Sequence, residues 1–175
     1  IAIGDSAGSN TQGPNTVAIG VSAGQTNQLR RTVAIGQLAG GNNQRESGVA
    51  IGHEAGRINQ GTFAIAIGHE AGRTDQGQNS IAIGRNAGNP GRDNSIVLNA
   101  SGVPVDATNA TLYVAPITST ATTTGVLVYT VGTGEINYNN TGKAFVIQHP
   151  INNNKYLVHE CLEGPEGGVY YRGKA

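Results

Sequence analysis

Large apolar residues recur in closely spaced pairs through the first half of the chain. The motif (Val/Ile)-Ala-Ile-Gly opens at Ile1, Val17, Val33, Val49, Ile65 and Ile81, and each copy continues, after two residues, with Ala-Gly. The period is sixteen residues, and its twelfth place holds Gln12, Gln28, Gln44, Gln60 and Gln76, with Arg92 in the sixth copy. A short fixed period of this kind predicts a stack in which each repeat makes one turn.

The local pattern sets the shape of a turn. In the copy Val49 to Ala64, Val49 and Ile51 alternate with Ala50 and Gly52. That is strand spacing, with large groups on one face and small ones on the other. Branched side chains suit a pleated surface. Gly52 and Gly56 then bend the chain, and Asn59-Gln60-Gly61 reads as a second short strand or a turn. Repeated glycines oppose helix by roughly 1 kcal/mol each relative to alanine. The prediction is an all-β fold: a parallel β-solenoid of six 16-residue coils over residues 1–99. Ile51 and Ile67 are expected inside the coil. The Ala/Gly face is expected to meet another copy of the chain, because one coil buries too little to support itself and cyclic homo-oligomers are the usual remedy. The predicted state is a homotrimer.

Beyond the repeats the pattern changes. Ser95-Ile96-Val97-Leu98-Asn99 starts like a seventh copy and departs from it, which reads as a capping coil. Residues 100–124 are rich in Thr, Ala and Ser and read as a neck, strand-like at Thr111 to Val114. Residues 125–142 read as a β-hairpin around Gly132-Thr133-Gly134. Residues 143–175 carry three strand-like runs, at Ala144, Tyr156 and Val169, and form a tip region expected to be truncated. The absence of an initiator Met suggests a piece of a longer protein.

Composition narrows the function classes. The chain has 27 glycines in 175 residues, 13% charged residues and zero net charge. Nothing argues for nucleic acid, and no apolar run is long enough to span a bilayer as a helix. The lone Cys161 excludes an intrachain disulfide framework. Phosphate-binding, metalloprotease and serine-hydrolase motifs are missing, and no carboxylate pair suggests glycoside hydrolysis. No catalytic residue, cofactor or metal site is therefore expected.

Some polar residues still call for weighing. His-Glu-Ala-Gly-Arg occurs at His53 to Arg57 and again at His69 to Arg73. One coil apart, His53, Glu54 and Arg57 should stack on His69, Glu70 and Arg73, giving either a ligand-contacting patch or a solvated turn with a weak ion pair. His149, His159 and Cys161 are zinc-ligand types without an evident fourth partner, which favours a structural reading. Asn99, Asn109 and Asn139 open glycosylation triplets that an Asn/Thr-rich chain produces by chance. Tyr138, Tyr170 and Tyr171 are further candidate ligand contacts.

The repeated Val-Ala-Ile-Gly-x-x-Ala-Gly over residues 1–98 resembles the heads of trimeric autotransporter adhesins, in which three chains each form a left-handed β-roll about a common axis. Taken with Ser-Ile-Val-Leu-Asn-Ala-Ser-Gly, Leu-Tyr-Val-Ala-Pro-Ile and the tail from Phe145 to Gly173, the chain also resembles surface attachment fibres of chlorella viruses. That resemblance implies a trimeric fibre on the virion surface that binds host algal cell-wall carbohydrate without cofactors. A fibre-borne depolymerase and a passive spacer are the alternatives.

Overall fold

The computed structural model describes residues 1–117, 126–130, 132–139, 144–148 and 156–160. These contain strands, turns and bends but no helix. Contacts divide the chain into two compact units, Ile1–Ile117 and Thr118–Ala175.

The first unit is a parallel β-solenoid. Its main sheet takes one strand from each coil: β1 (Ala2–Ile3), β3 (Val17–Ile19), β5 (Val33–Ile35), β6 (Val49–Ile51), β7 (Ile65–Ile67), β8 (Ile81–Ile83), β9 (Ile96–Asn99) and β10 (Leu112–Ala115). The register places like on like, so Val33 pairs Val49 and Ile35 pairs Ile51. A second ladder runs along another side of the coil. It begins with β2 (Asn10–Gln12) on β4 (Thr26–Gln28) and continues as single bridges from Thr26 to Asn42, Ile58 and Thr74.

The interior is the reverse of the sequence expectation. Ala18, Ala34, Ala50 and Ala66 are fully buried, whereas Ile51 is 36% exposed. The small-residue face points into the coil, and the branched residues point out of it. The reason is the width of the coil. The alanine column of the strands packs in one buried cluster with a second column, Ala23, Ala39, Ala55 and Ala71, and the buried side chains of Gln28, Gln44 and Gln60 fill the rest of the lumen. Two branched side chains per turn would not fit that space. Ile51 and Ile67 therefore belong to an outward apolar stripe, and Ala50 does not face a neighbouring chain.

Glutamine fills the lumen and ties each turn shut. Gln44 is fully buried. Its Nε2 donates to the Val33 carbonyl at 2.8 Å and to the Gly48 carbonyl at 3.2 Å, and its Oε1 accepts from Gln28 Nε2 at 3.2 Å. Gln28, Gln60 and Gln76 reach the carbonyls of Val17, Val49 and Ile65 in the same way. Gly56 makes room for this, because a Cβ there would meet the Gln60 amide at 2.7 Å.

Three corners turn each regular coil, and each puts a non-glycine residue in the left-handed region. In the fourth coil these are Glu54, Asn59 and Phe63, with φ of 55, 54 and 58°. Such angles cost a side-chain-bearing residue roughly 1–2 kcal/mol, and stacking against corners of the same backbone conformation holds them in place.

The stack also runs further than expected. Ile81 pairs with Ile96, fifteen residues on, and Ile96 pairs with Leu112, sixteen on. The sixth coil is thus one residue short. Residues 100–111, expected as a neck, complete a seventh coil, and β10 continues the sheet beyond the expected boundary at residue 99. The shortening moves the register at the twelfth place. Gly77 donates to Gly91 as Gly61 donates to Gln76, so Gly91 rather than Arg92 takes the glutamine's position.

In the second unit, β11 (Val126–Thr130) pairs antiparallel with β12 (Glu135–Asn139), and β13 (Ala144–Gln148) pairs antiparallel with β14 (Tyr156–Glu160). The expected strand at Val169 lies outside the described residues.

Candidate functional site

The outward stripe runs the length of the eight-stranded sheet. Its two columns start at Ile1 and Ile3 and end at Leu112 and Val114. Exposure rises at both ends: Ile3 is 59% exposed, and Leu98 and Val114 are 39% and 44%. The stripe follows from the strand period, because inward alanines oblige their large neighbours to point outward. The middle of the stripe is half-buried and its ends are exposed, and an apolar face of this length is of the kind that marks interaction surfaces.

The His-Glu-Ala-Gly-Arg turns come together as their spacing requires. The His53 and His69 rings stack with centroids 5.0 Å apart and planes 20° apart. Glu54 sits between two cations: Arg57 Nη1 is 3.1 Å from its Oε1, and Arg73 Nε is 2.6 Å from its Oε2. Glu70 lies 3.9 Å from the His69 imidazole. Burial pushes the Glu54 carboxyl up, but Arg57 and Arg73, helped by His53, outweigh it and hold it below the ordinary carboxylate value. The Glu54 side chain is only 13% exposed, so the cluster is first of all a clamp between the fourth and fifth coils.

Tyr138 falls in β12, opposite Leu127. Tyr170 and Tyr171 lie outside the described residues, as do His149 and Cys161. His159 pairs with Phe145 in the second hairpin. Among the described residues no group of three or more His, Cys, Asp or Glu could hold a metal ion, and no helix is long and apolar enough to cross a membrane.

Two features went unrecognised in the sequence. The first is an asparagine ladder at the eleventh place. Asn27 Nδ2 donates to Asn43 Oδ1 at 3.0 Å, Asn43 donates to Asn59 at 3.0 Å, and Asn59 donates to Asp75 Oδ1 at 2.7 Å. The recurrence of Asn at sixteen-residue spacing was its signal. The second is an open polar groove of about 890 Å³ beside the end of that ladder, bordered by Arg45, Asp75, Gln78, Arg92, Asp93 and Asn109. It forms where the short sixth coil leaves the regular path. Asp93 is fixed there by the Gln78 backbone N–H at 2.8 Å. The lip at 108–109 is held by Tyr113, whose hydroxyl oxygen accepts from the backbone N–H groups of Thr108 and Asn109 at 3.1 and 3.0 Å. Bonds to the Thr108 side chain and to these N–H groups draw the phenol's pKa down.

The comparisons point the same way as the stack. At residues 76–87 the chain matches the YadA head domain repeat, in 2 copies. The matched segment runs from Gln76 through the Ile81-Ala82-Ile83-Gly84 core to Ala87, so the likeness spans the end of the fifth coil and the start of the sixth. No curated protein and no solved structure matches the chain.

Proposed function

We propose that the chain is an adhesin-type surface fibre, a homotrimer that attaches a virion to host algal cell-wall polysaccharide by binding and not by turnover. The observation that carries this reading is the bare apolar stripe on a stack of adhesin-head-like repeats. Partly exposed Val, Ile and Leu along eight strands favour association, and a closed cyclic assembly hides them without leaving an end open. The resemblance to trimeric adhesin heads supports three copies. Wall contact then falls to the polar sides of the coil, including the turns at His53, Glu54, Arg57, His69, Glu70 and Arg73, with Tyr138, Tyr170 and Tyr171 in the second unit as further contacts. Each contact is weak, and repetition over three chains gives tight attachment through avidity.

The test is cosedimentation of the purified protein with isolated algal walls, followed by sizing of the wall fragments. The protein is expected to pellet with the walls, to compete with virus for attachment, and to leave fragment size unchanged. Shortened fragments would favour a depolymerase, and failure to pellet would favour a passive spacer.

A further inference from the structure

We propose that the groove beside the short sixth coil binds an extended, uncharged glycan lying along the stack axis. This deepens the function above and rests on it for the source of the glycan, but the site is argued from its own geometry.

Shape comes first. The groove reaches from Arg45 in the third coil to Thr108 and Asn109 in the seventh. That is four coil spacings, roughly 19 Å. One spacing is close to the rise of a single pyranose ring in an extended glycan, so each sugar would meet a fresh rung of polar groups. Glycines let the coils close up beneath the groove, which keeps its rungs one backbone spacing apart: a Cβ on Gly61 would strike the Gly77 backbone, and one on Gly77 would strike the Arg92 backbone.

The chemistry agrees. Neighbouring ring hydroxyls are paired donors and acceptors, and flat bidentate groups meet them best. Asp75, Asp93, Arg45, Arg92, Asn59 and Gln78 are all of that kind. Asn59 uses one N–H on Asp75, so its second N–H stays free for a ligand, and Asp75 Oδ2 makes no hydrogen bond among the described residues. Asp93 and the 108–109 lip are already held in place by Gln78 and Tyr113, which lowers the ordering cost of binding. Charge selects a neutral ligand. The two carboxylates and two guanidiniums cancel, and none of the four joins an ion pair among the described residues. A polyanion or polycation would meet a like charge for every opposite one.

Arg92→Ala combined with Asp75→Asn removes two of the ligand-facing charges. Asn at residue 75 keeps the ladder's acceptor and tolerates the left-handed backbone there, where φ is 50°. Gln37→Ala, exposed on another side of the coil, serves as control. Each full chain is compared by circular dichroism, by cosedimentation with isolated walls, and by titration with cellohexaose, chitohexaose, mannohexaose and polygalacturonate. The expected result is binding of a neutral hexaose over polygalacturonate, with at least a tenfold loss of hexaose and wall binding in the double variant at unchanged melting temperature. Gln37→Ala should bind like the parent. Should walls bind the parent and the double variant equally, the groove assignment falls and the fibre function stands. If the parent ignores walls, the fibre function falls, and the hexaose titration decides the groove: binding lost in the double variant upholds it, and no binding, or binding that survives, overturns it. A double variant that melts earlier is replaced by Asn109→Ala, an exposed lip residue held only through its backbone, with the same readings.

Discussion

Gln44 is a polar side chain in a place where a globular protein would put leucine. It survives there because its amide is fully engaged: it donates to the Val33 and Gly48 carbonyls and accepts from Gln28, adding a side-chain bond to a Gly48 carbonyl that also accepts from the Val33 backbone N–H. Gln44→Ala should therefore cost roughly 2–5 kcal/mol, combining a cavity with the loss of three buried hydrogen bonds. Urea unfolding measures it, and a cost below about 1 kcal/mol would mean that water replaces the amide freely. Gly52 carries a different constraint. Its φ is +125°, and a Cβ would lie 2.6 Å from the Gly68 carbonyl oxygen. Gly52→Ala combines backbone strain with overpacking and should cost roughly 3–5 kcal/mol. Both effects act on the fold of a single chain, so they should persist in any oligomeric state.

At the scale of the coil, the Glu54 clamp joins two successive turns. Its carboxyl titrates below its ordinary value near 4.5 in the folded chain, so the stability it lends is whole above that pH. It is lost as pH falls through the lower folded value. The melting temperature of the parent should drop more steeply below pH 4.5 than that of Glu54→Gln, which lacks the titrating group. Parallel curves would show that the clamp contributes nothing. The coil itself was legible in the sequence, since Val-Ala-Ile-Gly spells a short strand and a bend at fixed period. Which face points inward was not. A period of two says only that the faces differ, and the choice depends on the lumen, whose width is set by Ala55 and Gln60 several residues away. The groove was hidden for a related reason: a spacing of fifteen between Ile81 and Ile96 is one residue off the pattern, and its consequence appears only when the coils are stacked. The stacking of His53 on His69 needed nothing beyond the period, whereas the reading of the turn as exposed missed that Glu54 is drawn in between Arg57 and Arg73.

For the whole molecule, the reversal of the two faces changes what a mutation should do. Ala50 is wholly enclosed by its own coil, and Arg at that place has no room and no partner. Ala50→Arg should unfold the stack. Ile51 lies on the outward stripe at 36% exposure, so Arg there keeps its charge in water while the chain is alone. In a trimer closed over the stripe, the same charge is trapped against Val and Ile from neighbouring chains. Ile51→Arg should thus dissociate the assembly while leaving the β signature in circular dichroism unchanged, and Ile51→Ala should weaken association more than it weakens the fold. Light scattering coupled to size exclusion separates these outcomes. A parent that runs as a monomer at micromolar concentration would refute the trimer. An Ile51→Arg protein that remains trimeric would place the interface elsewhere, because a buried unpaired charge in each of three chains exceeds what an interface of small apolar contacts can absorb.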